Sequence, residues 1–194
     1  MMKDQKLFNN LMKEGKEAGK KEYLIKHRYF HCLEVERLCT EALNLMDSER
    51  LNQFLNGINI DELKLSFRYH DYNNFYKFSN LDHGILAANY LNDNEITKNE
   101  TILKAVELHS RKDLFNISEI HDLIVDCDVL SKMDKGYSRN YIYFHITELG
   151  IPKEEAINYL QNKIQKYEPR LLEMKKIKEL QMKEFIENLK NLNF

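Results

Sequence analysis

Apolar residues recur at steps of three and four along nearly the whole chain, the period of a helix with one buried face. Leu7, Leu11 and Met12 open a first amphipathic helix that weakens at Gly15 and Gly19. A second carries Tyr29, Leu33, Val35, Leu38, Cys39, Ala42 and Leu45 and runs to about Met46. A third begins at Asp61 and carries Leu63, Leu65, Phe67 and Tyr69 toward His70. Asn73 to Asn80 is aromatic and Asn-rich and reads as a loop. Asp82 is the expected cap of a fourth helix through Ile85, Leu86, Ala88 and Leu91. Thr97 and Glu100 form a capping box for a fifth that ends at His109. Ser118 starts a sixth, through Ile120, Ile124, Val125, Val129, Leu130 and Met133.

A seventh helix is expected over Tyr137 to Leu149, with Gly150 ending it and Pro152 in the first turn of the next. The tail from Pro152 to Phe194 reads as two helices divided near Pro169. Its stripe (Ile157, Leu160, Ile164, then Met174, Ile177, Phe185, Leu189) slips out of heptad register after Met174. Packing back onto the rest of the chain is therefore expected over a coiled coil. Only VDCDVL has a strand-like alternation, and its flanks argue for helix. The fold class expected is all-α, a helical bundle forming one domain over 1–194, with a core near 23–150 and a C-terminal extension near 152–190.

Composition agrees. The 194 residues include 6 Gly and 2 Pro, too few turn-formers for a many-stranded sandwich or barrel. Apolar residues make up 43% and charged residues 31%, a globular balance. A chain of this size buries roughly 70% of its unfolded surface and needs no disulfides. The net charge of −2 speaks against a nucleic-acid polymer as partner. Cys32, Cys39 and Cys127 lie in apolar-periodic stretches without metal or disulfide spacing and are expected as buried thiols. The charged start is no signal peptide, and no apolar run is long enough to cross a bilayer. A cytoplasmic location without membrane contact is the default.

Chemistry enters with seven histidines, His27, His31, His70, His83, His109, His121 and His145. His70 and Asp71 follow an apolar helix and precede a polar loop. Adjacent helical residues point about 100° apart, so both can reach one ion only at a helix end or an open cleft. His31 on the preceding helix and Asp128, two residues after Asp126, can join them. A mixed imidazole and carboxylate set suits Fe, Mn, Zn, Co or Ni rather than Ca. A bundle interior is a usual place for such a site.

The order His31, His70–Asp71, Asp128 resembles the HD superfamily of metal-dependent phosphohydrolases. HRYFHCLEV is similar to its H-x-x-x-H-x-x-x-V helix, with His31 the ligand. SFRYHDY stands where an apolar helix runs into the HD doublet. DHGILAANYL resembles D-H-x-x-x-A-x-x-L, AVELHS resembles I-x-x-H-S, and IVDCDVL resembles D-A-D-x-L. LLEMKKIKELQMKEFIENL is similar to the closing helix of small bacterial HD proteins. The resemblance spans about residues 23–190.

It implies that His31, His70, Asp71 and Asp128 ligate a divalent transition metal. His83 and His109 stand where members with a second ion carry two further histidines, and Asp71 would then bridge. One or two ions are thus expected, with Asp71, His83 and His109 as the catalytic group. With one ion, His83 or His109 would contact phosphate or act as general acid. The implied activity is hydrolysis of a nucleotide or small phosphorylated metabolite by a metal-activated water. A homodimer is allowed for.

The chain departs from the pattern in places. Glu34 stands where the family often has Arg, and Ser131 where D-A-D-R-L-D ends in Asp. Lys132, Arg111 and Arg139 are the substitutes in reach for binding substrate phosphate. Asn73-Asn74-Phe75-Tyr76 replaces the commoner turn after the doublet. Tyr72, Phe75, Tyr76 and Tyr137 are candidate pocket residues. His27 reads as structural, Asp134 as solvated or hydrogen-bonding, Asp82 and Asp126 as caps or imidazole partners, and His121 and His145 as surface residues. Two alternatives stay open: an HD-type di-iron oxygenase, which shares the six-residue order, and a non-catalytic metal-stabilised nucleotide-binding module.

Overall fold

The computed structural model describes the backbone of residues 2–72 and 82–192 and the side chains of 7–72 and 83–192. The expected loop Asn73–Asn80, with Phe75 and Tyr76, and the capping role of the Asp82 side chain lie outside the described residues. Ten α-helices and one short 3-10 turn make up the regular structure among the described residues, without a strand. The helices are α1 Met2–Glu17, α2 Glu22–Asn44, α3 Ser48–Leu55, α4 Ile60–Arg68, α5 Asp82–Asp93, α6 Glu100–Leu108, α7 Glu119–Leu130, α8 Lys135–Leu149, α9 Lys153–Gln165 and α10 Leu172–Lys190. The 3-10 turn, Ser131–Met133, joins α7 to α8.

The long α2 is the axis of the bundle. It buries Ile25, Cys32, Val35, Leu38, Cys39, Ala42 and Leu43 and packs against α1, α4, α7, α8 and α10. Each large aliphatic chain taken fully out of water contributes roughly 1.5–3 kcal/mol, so this seam outweighs any cap or surface ion pair. VDCDVL lies inside α7, where Val125, Cys127 and Val129 are buried together with Leu123 and Ile124. Only Asp122 and Asp128 between residues 120 and 130 stay partly exposed, so near-complete burial underlies the alternation. All three cysteines are free and buried.

The C-terminal stripe is used within the chain. Met174, Ile177, Phe185 and Leu189 of α10 are buried, and the helix packs on α2, α7 and α8, while α9 packs on α8. Asp126 explains how this end is held. Its buried carboxylate accepts the backbone N–H of Leu171 at 3.0 Å and the Tyr167 hydroxyl at 2.6 Å, tying the turn before α10 to α7.

Two local expectations fail. Thr97 does not cap α6: Asn99 does, its Oδ1 accepting from Thr101 and Ile102 at 3.0 and 3.2 Å. The Thr97 hydroxyl instead accepts the Asn99 N–H and donates to Glu62, so the nearer amide side chain takes the helix donors. The sequence reading also passed over α3, which Asp47 caps by accepting the Arg50 N–H at 2.8 Å. Only Phe54 and Leu55 of its eight residues are buried, too short a stripe for a helical period to register. Among the described residues, no helix is long and apolar enough to cross a membrane.

Candidate metal centre

Five segments meet at one point. α2 brings Arg28 and His31, about one turn apart. α4 stops at Arg68, so His70 and Asp71 fall in the turn beyond and escape the 100° step that would part them on a helix. His83 sits in the first turn of α5, and His109 occupies the C-terminal cap of α6. Asp128 lies near the end of α7, with Ser131 and Lys132 in the 3-10 turn that follows. All six ligands expected from the sequence therefore converge.

They form two groups that share Asp71. His31, His70 and Asp71 have donor atoms within 4.8 Å of one another, as do Asp71, His83 and His109. In the first, His31 Nε2 stands 3.2 Å from His70 Nε2, 3.3 Å from Asp71 Oδ2 and 3.4 Å from Asp128 Oδ1. In the second, Asp71 Oδ1 lies 3.2 Å from His83 Nε2 and 3.3 Å from His109 Nε2, and the two nitrogens are 3.0 Å apart. Donors held at about 2.1 Å from a common ion are roughly 3.0–3.4 Å from their neighbours. These distances match ligands around a cation, while His70 Nε2 to Asp71 Oδ2, at 3.8 Å, is longer.

Hydrogen positions make the case stronger. His70 Nδ1–H donates to Phe67 O and His109 Nδ1–H to Val106 O, both at 2.7 Å. These carbonyls belong to the last turns of α4 and α6, where helical partners run out. Ser131 Oγ donates its own proton to Asp128 O at 2.8 Å, so toward His31 Nδ1, at 2.9 Å, it accepts. Each ring thus carries its proton on Nδ1 and turns a bare Nε2 inward. In the first group these two lone pairs face carboxylate oxygens whose donors are the cations Arg28, Lys112 and Lys132. Among the described residues, the two bare imidazole nitrogens, crowded against carboxylates, are left without a donor of their own, and these groups can hold a metal ion.

Electrostatics keep the donors in ligating form. Burial pushes the His70 imidazolium down to about 3 and lowers that of His31, so both rings are neutral. Burial opposes ionisation of Asp71, but Arg28 and the surrounding imidazoles hold its carboxyl well below the usual range. Asp128 is held low against the same burial by Lys132 and Lys112. His109 goes the other way: burial lowers its basicity, and the hydrogen bond and charge of Asp71 raise it by more.

Close helix contact sets the second group. A Cβ on Gly84 would lie 2.3 Å from Glu107 O, so only glycine lets the start of α5 press against the end of α6. That approach brings His83 to His109. Among the described residues, His83 Nδ1 is buried without a hydrogen-bond partner.

A cleft of about 330 Å³ opens over the donors, lined also by Arg28, Ser110, Lys112, Lys132 and Tyr137. Lys132 and Tyr137 stand where the sequence suggested. Arg111 and Arg139 do not line it: Arg111 turns outward to Asp113, and Arg139 is an exposed residue of α8. The cations the sequence reading missed are Arg28, paired with Asp71, and Lys112, which donates to Asp128 Oδ2 at 2.6 Å. Arg28 was detectable, since i and i+3 from Arg28 to His31 share a helix face. Lys112 depends on how a loop folds back and left no local signal. Glu34 pairs with Arg37 away from the cleft.

The remaining candidates are structural. His121 was expected on the surface but is fully buried, its Nε2 3.3 Å from Leu108 O, because α7 packs against α6 there. His145 is half-buried and bonds Tyr141 O. His27 lies against the Tyr137 ring at 4.1 Å. Asp134 caps α8 by accepting the Tyr137 N–H. Tyr72 is buried against Tyr90, outside the cleft lining. Among known proteins, no family model, no curated protein and no solved structure matches the chain.

Proposed function

We propose that this protein is a metal-dependent phosphohydrolase acting on a nucleotide or another small phosphorylated metabolite. The observation that carries the reading is a buried cluster of imidazole nitrogens and carboxylate oxygens shared across Asp71, with Arg28, Lys112 and Lys132 at its mouth. The donors call for cations, and the added basic residues make the cleft a place for an anion. His31, His70, Asp128 and Asp71 Oδ2 would hold one ion, and Asp71 Oδ1, His83 and His109 a second. Imidazole with carboxylate suits Fe, Mn, Zn, Co or Ni. Such ions supply Lewis acidity, activating water near neutral pH and neutralising charge on phosphoryl oxygens.

The chain's own groups do the rest. Arg28, Lys112 and Lys132 bind and orient the phosphoryl group, as preorganised charges in a partly dry site do. Ser110 Oγ, buried and without a partner among the described residues, would donate to one of its oxygens. Tyr137, nearly buried, walls one side against water. With a single ion in the first group, His109 keeps a proton on Nε2 beside Asp71 and gives it to the leaving group.

Elemental analysis of the purified protein, with a panel of nucleotides and phosphoesters across these metals, tests the reading. His70→Ala or Asp71→Ala is expected to abolish hydrolysis and lower bound metal. A double variant that stays metal-replete and active sinks it. A bridging carboxylate with two imidazoles on each side also suits a di-iron oxygenase. Oxygen uptake by the iron-loaded protein, with no hydrolysis under Mn or Co, would favour that instead. Tight nucleotide binding without turnover would favour a sensor.

A further inference from the structure

We propose that Arg170, outside the cleft, is the positioning residue for Lys112, and that the turn before α10 thereby sets how the cleft meets an anion. The functional consequence rests on the phosphohydrolase reading; the coupling itself does not. The Arg170 backbone N–H donates to both carboxylate oxygens of Asp126, at 3.1 and 2.9 Å. One terminal nitrogen of its guanidinium donates to Asp122 Oδ1 at 2.8 Å, the other to the backbone carbonyl of Lys112 at 2.9 Å. The guanidinium also lies 4.5 Å from the centroid of Phe115.

Asp122 and Asp126 are one turn apart, so a single face of α7 grips Arg170. Asp128, two residues further, points about 200° away, toward the metal ligands. Lys112 reaches around the helix to it through Nζ. The contacts close a circuit from α7 through Arg170 to Lys112 and back to α7. The loop's own bonds are local turns, such as Arg111 N–H to Leu108 O at 2.8 Å and Leu114 N–H to Arg111 O at 3.1 Å. They shape the loop but leave its distance from the cleft to Arg170. An ammonium cannot serve both acceptors and lie flat on a ring, so lysine is no substitute.

The test uses the full chain with and without added Mn. A pulse of an amine-acylating reagent, read by mass spectrometry, compares Lys112 with exposed Lys183. Arg170→Gln keeps the backbone bonds to Asp126 and is expected to label Lys112 about tenfold faster or more, the effect of releasing one charged hydrogen bond. With Mn bound, Arg170→Gln and Lys112→Gln should weaken inorganic phosphate binding alike, and the double variant no more than Lys112→Gln alone. Unchanged Lys112 labelling in folded Arg170→Gln overturns the proposal, and so do additive losses in the cycle. If thermal melting shows Arg170→Gln unfolded, Arg170→Lys carries the same measurement. A wild type that neither binds phosphate nor hydrolyses any ester defeats the phosphohydrolase reading, while the labelling still decides the coupling.

Discussion

The two donor groups share Asp71 and differ in nearly everything else. The first has four donors, and both of its imidazoles are braced from behind, His31 by Ser131 and His70 by Phe67 O. The second has three donors. His109 is braced by Val106 O, but His83 Nδ1 has no partner among the described residues, and its ring is placed by a helix contact that only glycine permits. Bracing fixes a ring's proton and direction before any ion arrives, so less order is lost on binding. On the two-ion proposal, the first group would retain its ion and the second would exchange one more readily.

The largest expected effect erases the contrast. Asp71→Ala removes the shared carboxylate and strands Arg28, so both ions should go, with turnover falling about a thousandfold or more. By comparison, His83→Ala should lower the metal content by one ion per chain and spare the first. Elemental analysis after desalting reads both; a variant at Asp71 that retains two ions contradicts the shared arrangement. Gly84→Ala attacks the second group alone. The clash with Glu107 O should cost about 1–3 kcal/mol of stability and weaken the second ion without moving the first, as melting and metal titration would show. Equal weakening of both ions would mean that α5 does not act on one group only.

Ser131→Ala should do the reverse. It leaves His31 Nδ1–H unpartnered and is expected to lower first-ion affinity about tenfold, measured by competition with a chromophoric chelator. The smallest effect comes from pH. The folded pKa of His70 is depressed to about 3, so its imidazole stays neutral and available far below neutrality. That of His109 is raised, so protons compete for the second group first as the pH falls. Between about pH 8 and 6, second-ion affinity should drop by about fivefold in all while the first changes less. Simultaneous release of both ions would contradict the difference in pKa direction.

What the sequence made legible follows from what is local. Helical period and caps such as Ser118 and Gly150 depend on neighbours within a turn, and those elements stand where the pattern put them. The six converging donors were legible through their order and helix-end positions. Thr97 misled because Asn99, two residues on, offers the same oxygen closer to the helix donors. Arg28 shared a face with His31 and was overlooked in favour of Arg111 and Arg139, whose positions depend on where a loop and α8 turn. Lys112 and Arg170, 58 residues apart, are joined by a contact that no window of sequence contains.

The carbonyls of Phe67 and Val106 behind His70 and His109 carry a further implication. A main-chain oxygen survives every side-chain replacement. Mutational scanning should find the two imidazoles irreplaceable for metal binding, while exchanges of Phe67 or Val106 for another apolar residue register only as packing losses, since the oxygen stays in place. Ser131 is the exception, a prop that drift can delete with one codon.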